Sequence, residues 1–188
     1  IAQIFRYAGM ELVCRQAVDR PAALKNRTIG VTFGGLESAF SAWMTVLDLN
    51  PFGGPGGVTV LRQNLGLESF KRYQVDCATS YTFSAPLDFV TIDQPLQGMR
   101  TYRYQDLGQA TLEDGIYARA ADLANPDAVA TFAKFLAATR KGWQLLHDTP
   151  KAALDLLQAD PAFAKVGAAV LRQTLNEVDD LVAPDKGP

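Results

Sequence analysis

The stretch TIGVTFGGLESAFSAWM, residues 28–44, decides the fold of this chain. Its first six residues are mostly apolar or β-branched, which is typical of a buried strand. From Ser38 onward the apolar residues follow helical spacing instead. Gly34 and Gly35 stand at the change of period, where glycine makes a tight turn at low steric cost. The stretch therefore predicts a strand, a turn and a helix, which together are the start of an α/β unit.

The same alternation of strand and helix extends on both sides of this stretch. A Gly/Pro-rich segment, NPFGGPGG at 50–57, predicts a surface loop, and an extended segment at 87–92 leads out of the unit. The order β-α-β-α-β favours a parallel sheet with right-handed crossovers. The predicted strands are 2–5, 11–14, 28–33, 58–61 and 75–80, and the predicted helices of this half are 21–24, 38–47 and 67–73.

The second half of the chain is predicted to be helical. A polar N-cap residue followed by proline occurs three times, at 125–126, 149–150 and 160–161, and this pair is a frequent helix start. Apolar residues at helical spacing follow each start, so we expect three helices. Trp143 lies on one of these apolar faces and Trp43 on the apolar face of the first-half helix. We expect both indoles to pack in a core.

Composition and charge exclude several classes of function. The 188 residues carry a formal net charge of −2, and the 18 basic residues form no stripe that could neutralise phosphates, so nucleic acid is not an expected partner. No apolar run approaches the roughly 20 residues of a membrane span, and no signal-peptide pattern is present. The chain begins with IAQIF, inside a predicted strand and without methionine. We therefore expect the natural start, with any targeting signal, to lie upstream.

Cysteine and histidine are too few to predict a metal or cofactor site. Cys14 and Cys77 lie far apart and lack the spacing of a zinc or redox motif, and His147 is the one histidine of the sequence. We therefore expect no metal, no cofactor and no catalytic residue. Free cysteine is commonly a small core residue, so we expect two buried thiols, with a disulfide as the alternative.

Three segments go beyond generic α/β patterning. They are residues 28–44, residues 57–82 (GVTVLRQNLGLESFKRYQVDCATSYT) and residues 104–157, which begin YQDLGQATLEDGIYARAADL. Together they resemble the NMT1/THI5-like substrate-binding proteins of ABC importers. That family includes binders of thiamine pyrimidine precursors and is related to sulfonate and nitrate binders. The resemblance implies an α/β, periplasmic-binding-protein-like (type II) architecture, in which two lobes close on a ligand.

The resemblance also implies how the lobes divide the chain. Residues 28–92 correspond to a complete second lobe, whereas residues 1–27 and 93–188 correspond to a partial first lobe with C-terminal helices. The opening portion of the first lobe, which supplies half of the cleft in the family, is absent. A partial lobe exposes a sheet edge and apolar helix faces, so we expect a homodimer through the incomplete first lobe.

The function that the resemblance implies is solute binding for an ABC importer. The expected partners are a small pyrimidine-like molecule and the transporter permease, and the expected location of the full-length protein is periplasmic or otherwise extracytoplasmic. Eukaryotic members of the superfamily are enzymes that need their own histidine, pyridoxal phosphate and a cysteine-rich iron site. This chain has one histidine, in its helical part, so we expect a binding protein and not an enzyme. The alternatives are a sulfonate or nitrate binder and an assembly module without solute binding.

Candidate ligand-binding residues follow predicted strands, where ligands bind in open α/β sheets. The glycine turn leaves backbone N–H groups at a helix start, although a plain turn capped by Ser38 is the alternative. Tyr81 could stack on a planar ring. The carboxylate of Glu37 repels an anion and therefore favours a neutral or cationic ligand with N–H donors. The candidate set is Gly34, Gly35, Glu37, Ser38, Gln63, Ser80, Tyr81 and Glu113.

Overall fold

The computed structural model describes residues 1–90 and 98–182. Two compact units make up the chain. The sheet unit comprises Ala8–Thr111, and the helical unit comprises Ile1–Tyr7 and Leu112–Pro188. In chain order the strands are β1 (Ala2–Gln3), β2 (Met10–Cys14), β3 (Thr28–Thr32), β4 (Thr59–Gln63), β5 (Cys77–Tyr81), β6 (Arg100–Arg103) and β7 (Gly115–Ile116), and the helices are α1 (Ser38–Val46), α2 (Glu68–Lys71), α3 (Ala85–Val90), α4 (Pro126–Asp148), α5 (Pro150–Ala159) and α6 (Ala168–Val182).

A five-stranded mixed sheet with the order β4-β3-β5-β2-β6 organises the sheet unit. Strand β3 pairs in parallel with β4 and with β5, as the β-α-β-α-β pattern predicts. Strand β2 departs from the predicted parallel sheet, because it lies antiparallel between β5 and β6. Strands β3, β4, β5 and β6 therefore run in one direction, and their carboxyl ends meet at one edge of the sheet.

Apolar side chains cover both faces of this sheet. On one face, α1 packs Phe40, Trp43 and Met44 against the β3 residues Ile29 and Val31. The core position predicted for Trp43 is confirmed, since its side chain is 2% exposed. The other face has a smaller cluster, made by Val13, Leu67, Phe70, Val75, Ala78, Ala85 and Phe89. Burial of large apolar side chains on both faces fixes the strand ends that carry the candidate site.

A disulfide joins Cys14 of β2 to Cys77 of β5. The two residues are direct cross-strand partners, with a Cα–Cα distance of 4.0 Å. Both side chains are fully buried, so the expected burial is confirmed, but the expectation of two free thiols is wrong. The register of β2 against β5 brings together residues that are 63 apart in sequence. Sequence spacing alone does not reveal that register.

Two segments have a different structure from the predicted one. The segment predicted as extended at 87–92 begins inside α3, Ala85–Val90, and residues 91–92 lie outside the described residues. The helix predicted from 161 is divided into a 3₁₀ turn, Pro161–Phe163, and α6, which begins at Ala168. Proline is the second residue of α3, a position where it favours a helix start. This preference outweighs the short apolar run that predicted an extended segment.

The two units begin and end at other residues than the predicted lobes. Residues 10–14 and 100–103, which were expected in the first lobe, form β2 and β6 and pair inside the sheet unit. Backbone hydrogen bonds join β2 to β5, the strand predicted at 75–80, and join β6 to β2. The predicted boundary at 92 and 93 lies outside the described residues. Whether the units correspond to the lobes of a clamshell stays a proposal.

The helical unit combines the antiparallel pair β1–β7 with α4, α5 and α6. Asn125 caps α4 by accepting hydrogen bonds from the backbone N–H groups of Asp127 and Ala128, as its place before Pro126 predicts. Within the described ranges, none of the helices combines the length and the hydrophobicity that spanning a membrane requires.

Candidate functional site

The carboxyl edge of the sheet brings together seven of the eight predicted site residues. Strands β3, β4 and β5 end there at Thr32, Gln63 and Tyr81, and each is followed by a turn into a helix. The eighth residue, Glu113, belongs to the helical unit. Its side chain is 9% exposed, and its backbone carbonyl accepts a hydrogen bond from the side-chain amide of Gln3.

The turn after β3 requires both of its glycines. Gly34 and Gly35 have φ angles of +99° and +102°, a region that strains residues with a side chain. Glu37 folds back over this turn, and its Oε2 accepts the backbone N–H of Gly35 at 2.8 Å. Ser38 is the first residue of α1 and donates its hydroxyl to the carbonyl of Gly35 at 3.1 Å. The expected cap by Ser38 is wrong, because no side chain caps α1; whether the turn is a plain turn or binds a ligand stays a prediction.

Gln63 is the last residue of β4, and its side-chain amide lies over the neighbouring strand β3. Its Nε2 donates to the carbonyl oxygens of Gly66 at 3.1 Å and Thr79 at 3.4 Å. Two carbonyl acceptors on the same side require the NH₂ group there, so they fix the orientation of the amide. Among the described residues, the buried Oε1 finds no hydrogen-bond donor. The oxygen lies against Gly30, where it is shielded from solvent.

The side chains of Ser80 and Tyr81 are less available for ligand binding than the sequence suggested. Ser80 is 1% exposed and shares a hydrogen bond of 3.3 Å with the hydroxyl of Ser84. The ring of Tyr81 stacks on Phe83 with centroids 5.0 Å apart and an interplanar angle of 21°. One face of the Tyr81 ring is therefore already covered, and a planar ligand would have to use the other face.

Three buried polar residues at this edge were not among the predicted site residues. The hydroxyl of Thr79 accepts the backbone N–H of Thr32 at 3.0 Å and lies 3.2 Å from the Thr32 hydroxyl. Glu11, which is 3% exposed, lies in β2 directly between its cross-strand partners Ser80 and Arg103. The glutamate within the apolar run MELVC could have identified this position from the sequence. A charged side chain in a buried strand needs hydrogen-bond or ionic partners, so it marks a polar site inside the sheet.

Acidic side chains follow β4 and β5. Burial raises the pKa of the half-buried Asp88 carboxyl from 3.8 to about 6, and the negative charge of Glu68 adds to the rise. Asp88 lies against Gly66, whose backbone carbonyl accepts a hydrogen bond from the side-chain amide of Gln63. The Asp88 carboxyl group is therefore close to the end of β4. Glu68 itself is exposed and pairs with Lys71 and Arg72. Together with Glu37, these groups make the edge rich in hydrogen-bond acceptors.

A groove of about 520 Å³ runs between α1 and β4, which is one of the two outer strands of the sheet. Its described lining is mainly apolar, and Glu37 is the residue there that carries a charge. Phe33 lines the groove, and the guanidinium of Arg62 lies 5.2 Å from its ring centroid. Phe52, in the predicted loop at 50–57, also lines the groove and is 90% exposed.

The helical unit contains a separate cavity of about 490 Å³. Trp143 lines it and is half-buried, so the core position expected for this residue is wrong. The reason is that α4 buries one large side chain, Leu146, and leaves the rest of its apolar face partly exposed. His147 pairs with Asp179 of α6 at 3.0 Å. Within the described residues, no group of three or more His, Cys, Asp or Glu side chains could hold a metal ion.

The comparisons with known proteins agree on the fold. The family described as NMT1/THI5 like matches residues 1–153 of the chain. Among solved structures, the chain is similar to the alkanesulfonate-binding protein SsuA from Xanthomonas axonopodis pv. citri bound to MOPS, with a TM-score of 0.57 and 18% sequence identity. No curated protein shows significant similarity.

The structural similarity covers 93% of this chain and 59% of the solved chain, so this chain spans 59% of the length of the protein that it matches. At 18% identity the likeness shows the fold alone. The expected α/β, periplasmic-binding-protein-like (type II) fold is thereby confirmed.

Proposed function

The chain belongs to the NMT1/THI5-like family of substrate-binding proteins, and on that premise we propose that it serves an ABC importer as its solute-binding component. The solute that we propose is a small polar heterocycle with N–H donors, such as a thiamine pyrimidine precursor. It binds at the carboxyl edge of the sheet unit, in a cleft between two lobes. The protein is a binder and not an enzyme, and its macromolecular partner is the transporter permease.

One observation carries the proposed ligand class: the carboxylate of Glu37 lies over the glycine turn at the carboxyl edge, where its Oε2 accepts the backbone N–H of Gly35. This edge therefore offers a charged acceptor to a ligand. An aminopyrimidine offers an exocyclic amine, and a donor on a charged acceptor contributes about 1.5–3 kcal/mol.

A sulfonate binder is the competing reading, because the solved relative is an alkanesulfonate-binding protein bound to MOPS. An anion at the glycine turn would use the backbone N–H of Gly35, which already donates to Glu37. The anion would have to displace this carboxylate and then lie close to its charge. These two costs support the donor-bearing solute over the sulfonate.

The disulfide supports an extracytoplasmic location. Cys14 and Cys77 are bonded in the middle of the sheet, and structural disulfides persist in oxidising compartments such as the periplasm. A binding protein that delivers solute to an importer works in that compartment. We therefore propose a periplasmic or other extracytoplasmic location for the protein that contains this chain.

A second candidate function is assembly through the helical unit, which leaves large apolar side chains exposed. Leu112 is 84% exposed, Tyr117 81% and Phe135 55%. Exposed apolar patches commonly mark interaction sites, and a second copy of the chain could cover them by symmetry. Light scattering tests this candidate: a homodimer at micromolar concentration supports it, and a stable monomer contradicts it.

A thermal-shift titration tests the main proposal. The probes are 4-amino-5-hydroxymethyl-2-methylpyrimidine, thiamine, MOPS and nitrate. A binder of donor-bearing heterocycles is stabilised by the pyrimidine in a concentration-dependent way, because a ligand that binds the folded state raises the melting temperature. Stabilisation by MOPS or nitrate in place of the pyrimidine would favour the sulfonate or nitrate reading.

A further inference from the structure

The cavity of the helical unit is used neither by solute binding at the carboxyl edge nor by the assembly candidate. All of its described lining residues belong to the helical unit. The exposed side chains of the assembly candidate, Leu112, Tyr117 and Phe135, are not among them. With a volume of about 490 Å³, the cavity is within the size range of small-molecule sites.

One face of α4 forms a wall of the cavity. The α4 residues that line it are Leu136, Thr139, Arg140, Trp143 and Gln144. Their intervals of three and four residues place them side by side on the helix surface. Ile4, which follows β1, and Val182, at the end of α6, add apolar surface to that of Leu136. The lining therefore suits a ligand with an apolar body.

The polar groups of this lining include two that only donate hydrogen bonds. A guanidinium and an indole N–H are donors and accept nothing. Within the described part of the chain, the side chains of Arg140 and Trp143 make no hydrogen bond, ion pair or ring contact. Gln144 and Thr139 can donate as well. An occupant that accepts hydrogen bonds satisfies these groups.

The charge of the lining is positive. Arg140 carries it, and no acidic side chain is among the described lining residues. The acids of neighbouring elements lie elsewhere: Asp179 of α6 pairs with His147 at 3.0 Å, and Glu113 is 9% exposed and outside the lining. The complement of this lining is therefore a negatively charged acceptor joined to an apolar body.

We propose that this cavity binds a small organic anion, namely a carboxylate with an aromatic or aliphatic body. Arg140 binds the carboxylate through two parallel N–H donors, because the guanidinium fork matches carboxylate geometry. The apolar body lies against Leu136 and the ring of Trp143. The carboxyl edge of the sheet unit offers a charged acceptor at Glu37, whereas this cavity offers a charged donor. The two sites thus take ligands of opposite chemistry.

Three probes with one naphthalene body test the proposal on the intact chain: 2-naphthoate, 2-naphthylmethanol and 2-naphthylmethylammonium. NMR titration follows the two indole N–H signals, which belong to Trp43 and Trp143 and are assigned with Trp143→Phe. We expect 2-naphthoate to shift the Trp143 signal and to bind at least about tenfold more tightly than the alcohol, with the ammonium ion weakest. The signal of Trp43, which is buried in the sheet unit, should stay in place. Equal binding of the carboxylate and the alcohol, or an unshifted Trp143 signal, would overturn the proposal.

Two arginine variants locate the site. Arg140→Gln removes the charge and should weaken 2-naphthoate at least about tenfold while leaving the affinity of the alcohol unchanged. Arg172→Gln is the matched control, because Arg172 is an exposed arginine of α6 outside the lining, and it should change neither affinity. Both arginines are exposed, so both variants should keep the melting temperature of the unmodified chain.

Three results contradict the proposal. If Arg140→Gln binds 2-naphthoate as the unmodified chain does, or if Arg172→Gln weakens it equally, Arg140 does not hold the anion. If the affinity for 2-naphthoate falls as the protein concentration rises, a second copy of the chain covers the cavity instead. None of these results changes the pyrimidine titration, so the two proposals are tested separately.

Discussion

The side-chain amide of Gln63 lies directly over Gly30, at the position where a side chain of residue 30 would begin. Gln63 reaches this place from the end of β4 and donates across β3 to the carbonyl of Thr79 in β5. A glycine in the middle of a strand loses conformational entropy and packs nothing. Here its missing side chain makes room for an amide that links three neighbouring strands at the candidate site.

The first prediction contrasts two glycines. Gly30→Ala places a Cβ against the Gln63 amide and should lower the free energy of unfolding by about 1–3 kcal/mol, the usual cost of overpacking. Gly142→Ala is the matched control, because its Cβ meets nothing within 4 Å in α4 and should stabilise the chain by about 0.5–1 kcal/mol. Urea unfolding measures both. An equal response of the two variants would mean that Gln63 does not occupy this place.

The change of period at residues 33–38 predicted β3, the glycine turn and α1 almost to the residue, since local spacing decides these elements. The Gln63–Gly30 contact and the burial of Glu11 depend on strand register, which local spacing does not give. The sequence predicted free backbone N–H groups at the glycine turn, but the Glu37 carboxylate already accepts the N–H of Gly35. The sequence alone does not show whether a nearby side chain or a ligand occupies a given backbone N–H group.

The second prediction concerns the disulfide. Reduction of Cys14–Cys77, or the double substitution to alanine, should lower the free energy of unfolding by about 2–4 kcal/mol, because the cross-link restricts a long loop of the unfolded chain. Urea unfolding with and without dithiothreitol measures the loss. Thiol titration of the unfolded protein should find no free thiol before reduction. Two free thiols in the native protein would contradict the bond.

The third prediction uses the raised pKa of Asp88. Because the folded-state pKa of about 6 lies above the ordinary value of 3.8, protonation favours the folded state. This contribution is fully present below about pH 4 and is lost as the pH rises through 6. Allowing for solvent screening of a partly exposed group, we expect about 1–2 kcal/mol between pH 4 and 7. Asp88→Asn should remove this part of the pH profile of unfolding, and an unchanged profile would contradict the shift.

The last prediction concerns Glu37 and the pyrimidine. Its carboxylate accepts the N–H of Gly35 through Oε2, and the proposed site uses Oε1 as the acceptor of the ligand amine. Glutamine keeps the bond to Gly35 but removes the charge, so Glu37→Gln should weaken binding of 4-amino-5-hydroxymethyl-2-methylpyrimidine about tenfold, or ~1.4 kcal/mol. The melting temperature without ligand should stay nearly unchanged, because the turn is exposed.

Asp48→Asn is the control for this substitution. Asp48 is an exposed acid beyond the other end of α1, so its replacement should leave the affinity for the pyrimidine as it is. Calorimetric titration measures all three proteins. If Glu37→Gln binds the pyrimidine with undiminished affinity, or if MOPS binds the unmodified chain more tightly than the pyrimidine does, Glu37 serves only the turn and the ligand assignment fails.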